Sequence, residues 1–269
     1  MRRSYQCAVD VRSDEVRFAL SSDSKGKTTI ILTYGATMSD LSMVSPAAVS
    51  LWPRVTGDGN YGTMWGPSDI TKAKYSIDLC DLAINNEANT GFEAFKAMMD
   101  GIDNKLLDFV HQNQLRVLGR KNLSIDEVKM LQIRSVRPKY DKNTGNMTGH
   151  AINLSTTKYA WDGMGGKYER KINVCDHEGN VIKNGIVCPG DVVAATMYAN
   201  QVYTGVGGDK FGIHWSFEDV QVLCQRHKLE DRTEVQAFAK HTYPFASEYV
   251  LPGASVADQF ADAEFPGNM

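Results

Sequence analysis

Apolar Ala73, Tyr75, Ile77 and Leu79 alternate with Lys72, Lys74 and Ser76, a period of two that predicts a strand over 70–82 with one buried and one solvent face. The runs 15–20 and 28–34 predict two more strands around Asp23-Ser24-Lys25-Gly26, an N-terminal hairpin. Over 91–118 the period changes. Phe92, Phe95, Met98, Met99, Ile102, Leu106, Phe109 and Val110 recur at threes and fours with charge between them, which predicts a long amphipathic helix. Ser124-Ile125-Asp126-Glu127 reads as a capping box opening a short second helix. Residues 35–69, rich in Gly, Ser, Pro and aromatics, read as loops with short strands.

Strand patterns return from 131 to 223, at 131–136 (stopped by Arg137-Pro138), 168–175, 192–203 and 211–223. A polar loop at 140–145, the turn His177-Glu178-Gly179-Asn180 and the glycines of 205–208 separate them. Phe211, Ile213, Trp215 and Phe217 share one face and read as core, as does Tyr75. Short strands around one long inserted helix, without alternating βα units, predict a mainly β, α+β fold. The specific expectation from the pattern is a small barrel with an inserted helix. One domain is expected over 1–250, followed by a mildly acidic, flexible tail over 251–269.

Composition adds bounds rather than a function. The chain has 269 residues, 42% hydrophobic and 23% charged, enough for a sizeable core. No apolar run approaches the roughly 18 residues of a membrane-spanning helix, and Met1-Arg2-Arg3-Ser4-Tyr5 leads into no apolar h-region. Cys7, Cys80, Cys175, Cys188 and Cys224 are odd in number and scattered, the pattern of reduced thiols in an intracellular protein. The net charge of −3 conceals an asymmetry: residues 230–269 hold seven acids and two bases, leaving 27 basic and 25 acidic residues in 1–229. Charge therefore neither supports nor excludes a polyanionic partner.

Gly57-Asp58-Gly59-Asn60-Tyr61-Gly62 spells G-x-G-x-x-G, but Gly66-Pro67 follow almost at once, so no helix N-terminus is available for a pyrophosphate. A glycine loop is the simpler reading. The six histidines lack zinc spacing, no C-x-x-C occurs, and G-x-S-x-G is missing. The expectation is a protein without cofactor, metal or catalytic residues. What remains is aromatic and basic interleaving: Trp52, Arg54, Tyr61 and Trp65 in one loop region, Lys72 and Lys74 on a solvent face, Tyr159 and Trp161 ahead of Lys167, Arg170 and Lys171, and Tyr198 and Tyr203 on a strand before a glycine turn. Cations along phosphates and flat rings under unstacked bases are what single-stranded nucleic acid demands. Aromatics in strands more commonly pack the core.

Three stretches in order resemble the OB-fold single-stranded-DNA-binding proteins of short-tailed bacteriophages and of nucleocytoplasmic large DNA viruses. They are Asn60-Tyr61-Gly62 with the run from Lys72 to Leu79, then Ile172-Asn173-Val174 through Asp176-His177-Glu178-Gly179-Asn180 to Gly190-Asp191, then Tyr203-Thr204-Gly205-Val206-Gly207 running to Leu223. The resemblance implies an OB-type five-stranded barrel with an additional N-terminal hairpin, and sequence-nonspecific binding of single-stranded DNA in viral replication, recombination or repair, at intracellular replication sites. It places Lys72 and Tyr203 at groove positions held by arginine and tryptophan in the family. It also implies that tail residues Asp258, Phe260, Asp262, Glu264 and Phe265 contact a replicative polymerase or helicase, and it allows a homodimer. The rival reading is a viral structural or capsid-associated β-protein, which would share the strands and need no groove.

Overall fold

The computed structural model describes residues 5–22, 28–63, 66–84, 87–141, 144–161, 165–183, 185–205, 208–226 and 235–237, with Arg226 and Val235–Ala237 described through their backbone only. Twelve strands are labelled: β1 (Val16–Ser22), β2 (Thr28–Tyr34), β3 (Ser42–Val44), β4 (Ala48–Arg54), β5 (Lys74–Cys80), β6 (Val136–Tyr140), β7 (Met147–Thr157), β8 (Tyr159–Trp161), β9 (Lys167–Glu169), β10 (Asn173–Cys175), β11 (Val192–Thr204) and β12 (Phe211–Arg226). The helices are α1 (Thr90–Gln112), α2 (Gln114–Leu118) and α3 (Ile125–Leu131).

The sheet curls on itself. β4 pairs with β5, β5 with β7, and β11 with both β4 and β12, all antiparallel. β7 meets β12 through side chains. Thr156 Oγ1 donates to the Phe217 carbonyl at 2.7 Å and accepts from the Phe217 N–H at 3.0 Å, and Ser216 Oγ donates to the Ser155 carbonyl at 2.9 Å. The result is a mostly β, half-barrel architecture compatible with an OB-like fold. β6 extends the sheet beyond β7, and β1 and β2, paired antiparallel, join it where Ile30 meets Val202 of β11.

Alternation decides what is inside. Tyr75, Ile77 and Leu79 of β5 point into the core with Ile152 and Leu154 of β7 and Trp215 and Phe217 of β12. α1 lays Phe92, Phe95, Met99, Ile102, Leu106 and Val110 against that core. Asn89 caps its N-terminus, accepting from the Phe92 N–H at 3.0 Å. The Ser124–Glu127 capping box is present at α3.

Several sequence expectations are displaced. The strand expected over 70–82 starts at Lys74, because Asp69 caps a 3-10 turn at Ile70–Lys72; Lys72 therefore lies off the strand face. The helix pattern breaks at Asn113, whose backbone and side-chain N–H both return to the Phe109 carbonyl. Residues 131–136 are the end of α3 and the short strand Gln132–Ile133; the strand proper runs on through Arg137-Pro138, tolerated because β6 pairs on one side only. The run 168–175 splits into β9 and β10. β4 falls in the stretch expected as loops with short strands, and β7, within the expected β region, is not picked out as a strand by the pattern; both are central. Trp65 and the tail residues Asp258, Phe260, Asp262, Glu264 and Phe265 lie outside the described residues.

Beneath α1, Asp103 is 0% exposed. Ser135 donates to it twice, from its N–H at 2.7 Å and its hydroxyl at 2.9 Å, and Trp215 Nε1 donates to the same hydroxyl at 2.9 Å. Burial pushes the Asp103 carboxyl up to about 6, with the Ser135 hydrogen bonds pulling back. A raised folded-state value means that the native protein holds this proton more tightly than the unfolded chain. The associated stability is present below about pH 4 and lost as pH rises through about 6, amounting to about 3 kcal/mol at most. Asp103→Asn has no such titration. Unfolding measured between pH 4 and 7 should therefore show the variant gaining on the parent as pH rises; parallel pH profiles would refute the assignment.

Candidate nucleic-acid interface

The glycine loop is built against the start of β5. Gly57, Gly59 and Gly62 all have left-handed φ near +60°, and a Cβ on Gly59 would run into the Lys74 carbonyl. Asn60 secures the contact: its N–H donates to the Lys74 carbonyl at 3.1 Å and its Oδ1 accepts from the Lys74 N–H at 2.8 Å. Its glycines permit close backbone approach, and a 3-10 turn rather than a long helix follows. The half-exposed ring of Tyr61 rides on the loop.

Lys158, at the bend between β7 and β8, is 4% exposed. Its ammonium pairs with Asp58 of the glycine loop and with Glu169 of β9 at 3.4 Å. The Asp58 hydrogen bond foremost raises its pKa. Its backbone serves both neighbours too, with its N–H donating to the Ala73 carbonyl at 2.9 Å and its carbonyl accepting from the Arg170 N–H at 2.7 Å. One residue thus holds the glycine loop, the start of β5 and the β8–β9 pair in place.

That pair presents the most open aromatic of the group. Trp161 is 67% exposed, with Lys167 Nζ 4.9 Å from its ring centroid, and Tyr168 beside Lys167 is exposed as well. Tyr159 is half-buried, 5.8 Å from Lys158 Nζ. Asp69 joins this end to the 3-10 turn. Its carboxyl is held low chiefly by hydrogen bonds from Thr71, then by Lys72 and Lys167. Lys72, paired with Asp69 at 3.8 Å, stands on the 3-10 turn instead of on β5.

From there a polar outer face crosses the curled sheet. Lys74 is exposed on β5, and Arg54, opposite Ser76, shares that face. His214 of β12 lies between Ser155 Oγ at 2.8 Å and Asn200 Nδ2 at 3.3 Å. Burial, then the charge of Lys74, keeps its pKa low, so it is neutral near pH 7. Asp78 ties Lys139 Nζ at 2.5 Å and Asn153 Nδ2 at 2.6 Å across the adjoining strands. At the far end Tyr203 lies over its cross-strand partner Gly212, where a Cβ would sit 2.9 Å from the tyrosine Oη. Burial raises the phenol pKa and the nearby charge of Arg137 opposes it.

The remaining expected residues separate. Arg170 and Lys171 line a different cleft, between 168–173 and the Phe217–Asp219 stretch of β12. Tyr198 is its floor, 3% exposed, so it cannot offer a face at the open surface: the N-terminal segment and 168–173 cover it. Trp52 is exposed at a bulge of β4 with φ +50°, and nothing places it beside the other rings. Lys158, Tyr168 and His214 were not singled out by sequence. The Lys167-Tyr168-Glu169 alternation of cation and ring carried a signal for Tyr168, and none existed for His214, whose place depends on pairing.

No family model and no curated protein matches this sequence. Among solved structures, gp2.5, a single-stranded DNA binding protein encoded by bacteriophage T7, is similar at 9% identity and TM-score 0.46, over 68% of this chain and 86% of that one. The single-stranded DNA-binding protein from bacteriophage Enc34 in complex with ssDNA is similar at 13% identity and TM-score 0.36, over 78% and 98%. At these scores the likeness is partial, and what the chain does is read from its own side chains.

The Lys158 clamp is asymmetric. Its carboxylates are 62% and 44% exposed while the lysine is enclosed. Lys158→Met releases two carboxylates that water can reach and should cost about 1 kcal/mol. Asp58→Asn with Glu169→Gln strands a buried ammonium and should cost more, about 3 kcal/mol. Denaturant unfolding of both variants checks the order, and the reverse order would refute the clamp.

Proposed function

We propose that this protein binds single-stranded DNA without sequence preference, on a five-stranded OB-type barrel formed by β4, β5, β7, β11 and β12. The observation that carries the reading is the exposed Trp161 ring with Lys167 beside it, at one end of a polar strand face that bears Lys74, Arg54, His214 and Arg137 and ends at Tyr203. From Trp161 to Ala151, opposite Arg137, the chain advances roughly 30 Å at about 3.3 Å per residue. That length suits the lower part of the range of about 4–16 nucleotides per OB fold. Cations take the phosphates, while Trp161, Tyr61 and Tyr203 take bases. No recognition helix enters a groove, so affinity does not depend on base edges.

The role proposed is coating and protecting unpaired strands during viral DNA replication, recombination or repair, inside the host cell, without catalysis. A replicative polymerase or helicase recruited through Asp258, Phe260, Asp262, Glu264 and Phe265, and a homodimer, belong to the same proposal.

A fluorescent oligonucleotide titration tests it. Raising salt from about 50 to 200 mM should weaken binding tenfold or more, and a duplex of equal length should bind more weakly than the single strand. Equal affinity for both at moderate salt, or none for either, would sink the reading.

Tyr203 separates stacking from packing. Tyr203→Ala should lose about 1–3 kcal/mol of affinity with little change in melting temperature, and Tyr203→Phe should keep nearly all of it. A lowered melting temperature with normal binding would make the ring part of the sheet's packing over Gly212.

A further inference from the structure

The seam between β7 and β12 ends at Thr156 and Phe217. β10 takes up β12 only from Asn173 opposite Asp219. Between those contacts the sheet opens into a cleft of ≈ 380 Å³, near the lower limit for small-ligand sites of about 300–1,000 Å³. Tyr168 and Tyr5 wall it, Tyr198 floors it, and Arg170, Lys171 and Glu218 line it. Tyr5 Oη donates to Glu218 Oε2 at 2.6 Å. Glu169 and Asp219 also line the cleft but are engaged, by Lys158 and by Asn173 respectively. Arg170 and Lys171 form no ion pair among the described residues.

We propose that this cleft takes one nucleotide swung out of the bound strand, its base between the tyrosines and its phosphate at Arg170 and Lys171; the proposal rests on the single-strand reading above. A phosphate alone has no use for aromatic walls and would meet three carboxylates. A base alone has no use for two unpaired cations. A nucleotide uses both, and Glu218 supplies an acceptor for an exocyclic amine. The cleft also adjoins the polar face: Tyr198 at its floor is the cross-strand partner of Ser216. Tyr198 closes the bottom of the cleft with little ring surface presented, so stacking falls to Tyr168 and Tyr5.

Photocrosslinking distinguishes entry from surface binding. The full chain is irradiated with an oligonucleotide containing 5-iododeoxycytidine, and adducts are mapped by mass spectrometry. Adducts on Tyr168 or Tyr5 are expected besides those on Trp161. Arg170→Ala with Lys171→Ala should reduce them about tenfold, on the scale of charge-assisted hydrogen bonds lost to a phosphate, while the Trp161 adduct persists as the check on folding. Adducts confined to Trp161, Tyr61 and Tyr203 would overturn the cleft and leave strand coating intact, as would Tyr168 or Tyr5 adducts indifferent to the double variant. Absence of any oligonucleotide binding would overturn both.

Discussion

The proposed surface depends on one buried cation. Lys158 occupies the bend where the sheet hands over to the β8–β9 pair, and its ammonium is satisfied only if Asp58 and Glu169 both come to it. The glycine loop and β9 are otherwise short polar segments with few apolar contacts of their own. A lysine enclosed by those two carboxylates ties both segments to it, because a covered ammonium left unpaired is costly. Trp161, Lys167 and Tyr61 are exposed yet fixed for this reason: they stand on segments that the lysine has already located.

A second constraint is the way the sheet closes. Between β7 and β12 the strands do not exchange a full backbone ladder; Thr156 stands in, accepting from and donating to Phe217 with one hydroxyl. A side-chain seam can stop where its residues stop, which a ladder of backbone bonds does less readily. The cleft beyond Phe217 follows from that. So does the polar outer face, since serine, threonine and asparagine at outward positions serve the seam and solvent together.

What was legible in the sequence was whatever a single segment decides. The Tyr75-Ile77-Leu79 alternation, the capping box and the burial of Trp215 each follow from local pattern, and each is found. β7 was hidden because its outward positions are Asn153, Ser155 and Thr157 and Gly149 interrupts it, so no strand stands out in the run. β4 was hidden by Ala48 and Ser50, small residues buried under neighbours that only pairing brings. Among site residues, exposure of Trp161 followed from its polar setting. Tyr198 alternates as a surface residue should and is nevertheless covered, by Tyr5 and by 168–173, both remote in sequence. Local period tells which face a residue is on, and not whether another segment lies over it.

β6 is the last strand on its side of the sheet among the described residues. It carries Pro138, which has no N–H to offer, and Lys139, whose charge is turned inward to Asp78. A free strand edge invites a copy of itself, and the invitation grows with local concentration. In the proposed coating role, copies side by side along one polynucleotide meet at concentrations far above those in bulk solution. A proline and an inward lysine on that edge keep such neighbours apart, so that crowding on the strand does not become polymerisation of the protein.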